Sequence, residues 1–471
     1  MSGDAIRIPC PDGRPAAVFG LARTGLAAAR ALMAGGCEVW GWDDRDDRRA
    51  EAAAAGITLV DLARCDWSRP WALVLSPGVP FRPAPHPVVE RAAAAGCPVV
   101  SDIELLARAQ PEARYIGVTG TNGKSTTTAL VGHILRSAGR RVEVGGNLGT
   151  AALALAPLGR GGTYVLELSS YQLDLTRSLA CNVAVLLNIT PDHLDRHGGM
   201  EGYIAAKLRI FRNQTGRDTA VIGIDDRYGE AIFTEIAARQ HQAAVPVSSR
   251  RAAPGGVYVE RGRLIDDLSD DPVPVMDMAA ATTLPGAHNW QNAAAAYAAC
   301  RSLGIAGSVI AAAMRSYPGL PHRQELVATI DGIRFVNDSK ATNADAAGKA
   351  LACYETIYWI VGGRPKEGGL AGLEPFHPRI AHAFLIGESM EAFAAALAPA
   401  VPVHRCGTLD AAVAQAFALA RSESRPGAVV LLSPACASFD QFANFEERGE
   451  AFRRLVHGLG GADAASRGSA P

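Results

Sequence analysis

Thr119-Gly120-Thr121-Asn122-Gly123-Lys124-Ser125-Thr126 is the stretch of this chain best suited to chemistry. It follows an apolar run, Tyr115 to Val118, and precedes a helical pattern from Thr127 to Leu135. Strand, glycine-rich loop and helix together cradle phosphates. The glycines let backbone N–H groups turn toward phosphate oxygens, and the helix N-terminus adds partial positive charge. Lys124 can reach the β- and γ-phosphates, and the Ser125 hydroxyl can ligate Mg²⁺. The common form G-x-x-x-x-G-K-[ST] asks for glycine at position 118, where this chain has Val118, so the loop is a shortened variant.

Other polar residues sit where strands should end. Glu167 closes the run that begins at Thr163, and a carboxylate there, near a phosphate loop, can hold Mg²⁺. After the run Val183 to Ile189 comes His193, flanked by Asp192 and Asp195. A lone loop histidine is most simply a surface residue, yet this one lies at the carboxyl ends of strands, where α/β sheets bind ligands. Lys207 reads most simply as a solvated helix lysine. Asn289 and Asn292 open an alanine-rich helix and could cap it or read an adenine edge. Arg323 could clamp phosphate. Asp338-Ser-Lys-Ala-Thr-Asn343, Gly362-Gly-Arg-Pro-Lys366 and Ser433-Pro-Ala-Cys-Ala-Ser-Phe-Asp440 follow three further strands, which points to a site shared by domains. Cys436 reads as a small buried residue, and no Ser-His-Asp or zinc pattern emerges.

Short apolar runs alternate with alanine-rich helical segments, the pattern of an α/β fold with mainly parallel sheets. The first block has strands at Ala16–Gly20, Glu38–Trp42 and Trp71–Leu75, with Gly20-Leu-Ala-Arg-Thr-Gly25 as a Rossmann-like turn. The runs ending at Gly56 and Gly96 read as helices with glycine caps. The second block carries the phosphate loop, strands at Thr163–Leu168, Val183–Ile189 and Thr219–Ile224, and a hairpin over Val257–Ile265. Pro318-Gly-Leu-Pro321 is a break. The third block has strands at Arg334–Asn337, Ile357–Gly362, Ala383–Gly387 and Val429–Ser433, again Rossmann-like. The expected domains are 1–103, 104–319 and 320–471. The tail from Gly460 to Pro471 should fray.

A chain of 471 residues with net charge −1 argues against a nucleic-acid or membrane-surface partner recognised by bulk charge. No apolar run nears the length of a spanning helix, and Met1 to Gly13 holds no signal-like core. Nine scattered cysteines without a CxxC suggest reduced thiols in a cytoplasm rather than a disulfide framework.

The ordered motifs GTNGKST, ELSSYQLD, NITPDHLDRH, AAKLRIF, GAHNWQNA, GLPHR, NDSKATN and LLSPACASFDQFANFEERG are together specific. Over about residues 16 to 457 the chain resembles the Mur ligase family of peptidoglycan synthesis, in particular its D-glutamate-adding branch. The short phosphate loop is the family's own form. The resemblance implies three domains: a uridine-nucleotide binder, an ATPase, and a domain that admits the amino acid and closes over ATP. The expected reaction joins D-glutamate to UDP-N-acetylmuramoyl-L-alanine at the expense of ATP, in a cytoplasmic monomer.

Carried over by motif, Gly120, Thr121, Asn122, Gly123, Lys124, Ser125 and Thr126 would hold the ATP phosphates, with Ser125 on a first Mg²⁺. Glu167, His193 and a carbamylated Lys207 would hold a second Mg²⁺, which reverses the bland reading of Lys207. Asn289 and Asn292 would touch adenine, Arg323 the phosphates and Asp338 the ribose. Arg23, Thr24, Asp44, Arg45 and Ser76 would face the uridine nucleotide, and Asn147 and Gln172 the muramoyl group. Lys340, Thr342, Lys366, Ser438 and Phe445 would surround glutamate. The first loop (Ala22-Arg23-Thr24, Asp44-Arg45) and the run Arg364-Pro365-Lys366 depart from the family pattern. Three rivals stand beside this reading: a folylpolyglutamate synthase, an NAD-dependent oxidoreductase built on the first unit, and a regulatory P-loop NTPase switch.

Overall fold

Apolar, β-branched runs become the strands of three sheets, and polar or glycine-rich turns end the strands that carry candidate site residues. The computed structural model describes residues 5–269, 271–366 and 368–467. The first sheet is all parallel, in the order β3-β2-β1-β4-β5. Its strands are β1 (Ala16–Phe19), β2 (Val39–Trp42), β3 (Thr58–Leu59), β4 (Leu73–Leu75) and β5 (Val99–Val100). The helices Asp46–Ala54 and Pro87–Ala94 are each followed by a glycine at positive φ, Gly56 at 79° and Gly96 at 70°. Glycine alone adopts that left-handed stop without strain.

The second sheet holds β6 (Arg114–Thr119), β7 (Val142–Gly146), β8 (Thr163–Glu167), β9 (Val183–Leu186) and β10 (Thr219–Gly223), then β11 (Ala243–Ser248), β12 (Val257–Glu260), β13 (Arg263–Asp266) and β14 (Val273–Asp277). Its order is β14-β13-β12-β11-β10-β9-β6-β8-β7. The expected hairpin is present, β12 pairing antiparallel with β13. Strand β6 lies between β8 and β9, so the turns after all three emerge side by side. That adjacency brings the phosphate loop, Glu167 and the loop of His193 to one edge.

The third sheet is parallel except for its first pair, in the order β15-β16-β20-β17-β18-β19. Its strands are β15 (Glu325–Ile330), β16 (Ile333–Asn337), β17 (Ile357–Gly362), β18 (Ile380–Ile386), β19 (Val403–Gly407) and β20 (Val429–Leu432). Apolar clusters cover both of its faces, one around Trp359 and Leu385, the other around Phe335, Phe384 and Phe452. A single cluster runs through both earlier sheets, from Val18 and Leu32 to Tyr164 and Leu186. The chain accordingly forms two compact units. One runs through Tyr317, except for Thr282–Gly286; the other combines Thr282–Gly286 with the chain from Pro318 onward.

The expectation of reduced cysteines fails at one pair, because Cys10 and Cys37 are joined by a disulfide. Separation in sequence hid their proximity: the segment before β1 packs on the end of the helix Arg23–Ala34, where Ile8 N–H donates to Ala31 O at 3.0 Å. Where fraying was expected, the final helix runs Phe445–Arg467, and residues 468–471 lie outside the described residues. No described helix is long and apolar enough to cross a membrane.

Candidate active site

The phosphate loop leaves β6 through Gly120 at φ 152° and enters the helix Lys124–Ser137 through Gly123 at φ 83°. A Cβ at Gly123 would come within 2.1 Å of Asn292 Oδ1, so glycine is required by both space and dihedral. Lys124 Nζ donates to Gly120 O at 3.0 Å and Thr121 O at 2.8 Å. The ammonium is thereby folded back over the loop that would receive phosphate.

Lys207 is no solvated helix lysine, being 1% exposed. Its Nζ donates to the same Gly120 carbonyl at 2.8 Å and packs over the Tyr203 ring at 4.6 Å. Desolvation above all, with repulsion from Lys124, holds its pKa well below the usual lysine value. Burial thus makes the ammonium easier to deprotonate. Glu167, at the end of β8, is 3% exposed. Its Oε1 accepts from Asn147 Nδ2 at 2.7 Å, while its buried Oε2 has no hydrogen-bond partner among the described residues. A buried carboxylate oxygen without such a partner suits a cation, since a buried acceptor left unpaired is costly. His193 turns at φ 52° in the loop after β9, half exposed, with Nε2 3.4 Å from Asp192. Its ring lies 5.2 Å from that of Tyr171.

Gln172 is placed differently from the expectation that it faces a substrate. It is buried, and its Oε1 closes a capping box with Ser169 while its Nε2 donates to Asp102 at 3.3 Å. Asn289 and Asn292 do not cap their helix, Ala287–Ser302, but lie inside its first two turns. Both are buried, Asn292 Nδ2 donating to Asn289 Oδ1 at 3.1 Å.

At the edge of the first sheet, Ser76 Oγ donates to Gly20 O at 2.6 Å and so braces the glycine turn. Arg45 is exposed and paired with Asp47, and Asp44 lies 3.2 Å from His86 Nε2. Arg23 and Thr24 open the first helix, with Arg23 exposed. Between this edge and the helix after β8 lies a small cleft lined by Ser76, Phe81, Tyr171, Asp174, Arg196 and His197. Arg196 spans it, donating to Val79 O and stacking over Tyr171 at 4.8 Å. Sequence reading named neither Tyr171 nor Arg196 as functional, although both lie inside motifs it quoted.

The second unit gathers its own set. Asp338, buried at the end of β16, accepts from Ser433 Oγ at 2.8 Å and Gln324 N at 3.2 Å, and burial pushes its pKa up to about 7. Lys340 Nζ sits 3.8 Å over the Phe445 ring. Lys366 is exposed, 3.5 Å from Thr342 Oγ1. Ser438 is buried, Arg323 half-buried. Cys436 is buried as expected, its thiol pushed up by desolvation. Arg448, which the sequence reading passed over, is 1% exposed and donates to Ser339 Oγ and to the carbonyls of Ser339, Cys436 and Ala437. It ties the turns after β16 and β20 together. Within FEERG a charged residue on a helix carried no sign of burial.

Comparison with known proteins agrees with this arrangement. The sequence profile of the Mur ligase middle domain matches residues 118–300, and that of the Mur ligase glutamate ligase domain matches residues 322–436. The UDP-N-acetylmuramoylalanine--D-glutamate ligase of Phenylobacterium zucineum is 56% identical over 463 residues, covering 96% of this chain and 98% of the relative. The chain belongs to the Mur ligase family. The Rhodospirillum rubrum relative of the same name is 54% identical, with 97% of each chain covered. The fold is also that of UDP-N-acetylmuramate-alanine ligase MurC from Thermotoga maritima, at a TM-score of 0.59 and 18% identity over 95% of this chain and all of that one.

Proposed function

We infer that the protein is an ATP-dependent amide ligase that joins D-glutamate to UDP-N-acetylmuramoyl-L-alanine in peptidoglycan precursor synthesis. The carrying observation is the near-complete match to relatives of that name. The terminal carboxylate of the nucleotide-sugar substrate attacks the γ-phosphate in line, ADP leaves, and an acyl phosphate forms. The unprotonated D-glutamate amine then attacks the carbonyl carbon, phosphate departs with the bonding pair, the nitrogen gives up one proton to solvent, and the amide remains. Phosphorylation makes the carboxylate oxygen a competent leaving group.

Residue roles are proposals. The first turn of the helix Lys124–Ser137 offers backbone donors to the phosphates, and Lys124 supplies charge against the transferring group. Lys207, as a neutral amine, adds to CO₂ through a new N–C bond and loses a proton, which turns it into an oxygen ligand. Ser125 would hold one Mg²⁺, and Glu167, His193 and carbamylated Lys207 a second; the orphaned Glu167 oxygen supports that assignment. When bound, Mg²⁺ neutralises charge developing on the phosphoryl oxygens. Asn147, hydrogen-bonded to Glu167, would face the muramoyl peptide; Lys340, Thr342, Lys366, Ser438 and Phe445 would receive glutamate, Asn289 and Asn292 adenine, Arg323 the phosphates and Asp338 the ribose. The domain limits 1–103, 104–319 and 320–471, a cytoplasmic location and a monomeric state belong to the same proposal.

Measuring ADP release with ATP, Mg²⁺ and UDP-N-acetylmuramoyl-L-alanine, with and without D-glutamate, tests the reading. Release should depend on D-glutamate. Equal release in both arms overturns it.

A further inference from the structure

The phosphate loop is held by a network that its own motif does not contain. Asn188, directly after β9, grips the peptide on either side of Asn122. Its Oδ1 accepts from Asn122 N at 2.8 Å, its Nδ2 donates to Asn122 O at 3.2 Å, and its main-chain oxygen accepts from Thr121 N at 2.9 Å. A side-chain amide here imitates one rung of a β-ladder. The Asn122 N–H therefore faces the protein, and the donors left for phosphate are those of the following helix turn.

The grip continues outward. Asn188 Nδ2 also donates to Gln291 Oε1 at 3.3 Å, and Gln291 Nε2 donates to Asp225 Oδ2 at 2.9 Å. Asp225 is anchored in turn by the Ser249 N–H at 2.9 Å, at the end of β11. Gln291 stands one residue from Asn292, the side chain that presses on Gly123. The route joins three strand ends and the helix Ala287–Ser302 to one peptide of the phosphate loop.

We propose that Asn188 and Gln291 are positioning residues for ATP: they fix the Asn122 peptide and so couple the helix expected to carry the adenine contacts to the phosphate loop. The inference rests on the ligase reading above. Neither residue touches the reacting atoms; both act through loop geometry, where small misplacements cost rate. The amide orientation is dictated by the partners. Nδ2 meets two carbonyl oxygens, and Oδ1 meets an N–H. Asn188→Asp would replace the donor with a third acceptor, and Asn188→Ala would remove both side-chain hydrogen bonds to Asn122.

The test is steady-state kinetics with each substrate varied, together with the ATP-induced rise in Tm. For Asn188→Ala, kcat/KM for ATP should fall about tenfold or more, and for Asn188→Asp at least as far, as expected for an unsatisfied peptide group. KM for the nucleotide-sugar and for D-glutamate should stay within about twofold, and the ATP-induced Tm rise should shrink. Gln291→Ala should cost about threefold in the same parameter. The double variant with Asn188→Ala should cost less than the product of the two single losses, because the two share one network. The inference is overturned if the folded Asn188 variants stay within twofold of wild type, if all three substrates weaken equally, or if the two changes multiply. Should Asn188→Ala fail to fold, Asn188→Asp and Gln291→Ala decide by the same readouts. A wild-type protein without D-glutamate-dependent ADP release would sink the ligase reading instead, and the ATP-induced Tm shift would still decide the positioning role.

Discussion

Two pairs of lysines gather near strand ends of different sheets, and burial sets them apart. Lys124 and Lys207 crowd one carbonyl at the end of β6, where burial and the neighbouring Lys124 hold the Lys207 pKa well below the usual lysine value. Lys340 lies over Phe445 and Lys366 stands exposed beside Thr342, at the ends of β16 and β17. Under the proposed function the same side chain would serve as a reactive amine at Lys207 and as a counter-charge at Lys340 and Lys366. Desolvation is what a neutral amine needs. Hydration is what an ammonium that greets a dicarboxylate can keep.

Substitutions sharpen or break that contrast. The largest effect should come from Lys124→Ala, which removes one preorganised charge and should lower kcat by about 10²–10³-fold; a variant within fivefold of wild type ends the claim. Lys207→Ala should lose turnover to a similar degree. Lys207→Arg should rescue nothing, since arginine cannot shed its proton to form a carbamate. An active arginine variant would show that charge, not the amine, matters there. Lys340→Ala should raise the KM for D-glutamate about 30-fold or more while leaving the nucleotide-sugar KM nearly unchanged. Lys366→Ala, at an exposed position, should change the same KM by no more than about fivefold. If these last two match, exposure does not grade the pair.

The smallest effect concerns a carboxyl between the two extremes. Burial raises Asp338 to about 7, against about 3.9 in an unfolded chain. The folded state therefore holds the proton more tightly, and this residue's contribution to stability is lost as pH rises from about 4 to 7. Asp338→Asn should flatten that dependence. Tm measured at pH 5 and pH 8 should show the variant gaining on wild type at the higher pH, and a constant gap would contradict the assignment.

Much of this was legible beforehand for physical reasons. Apolar runs such as Thr163–Leu168 and Ile357–Gly362 stand out because buried parallel strands are nearly continuous hydrophobic sequence, and both are strands. β11 and β14 escaped notice, each carrying a proline within a run broken by polar residues or alanines. Site residues that belong to a motif could be named, but orientation could not. Nothing in the local sequence says that Gln172 turns inward to Asp102, or that Asn188 reaches back across three strands of chain to Asn122. Those are pairings of distant segments, decided by sheet order. The same holds for Cys10 and Cys37, which meet only because the first helix returns to the start of the chain.

Sheet order has a consequence in time as well as space. β20 is the last strand made, yet it lies between β16 and β17 and pairs with both. Until Leu432 has been synthesised, the third sheet is two separate ribbons with an open slot, and neither apolar face is complete. Every strand of the first two sheets precedes Tyr317, where their unit ends. During translation the earlier unit can close while the later one waits, its unpaired edges exposed to rival strands. Ribosome-bound chains halted before Ala428 should show protease resistance up to about Tyr317 and sensitivity beyond it. Equal protection on both sides would mean that the slot can stand open without cost.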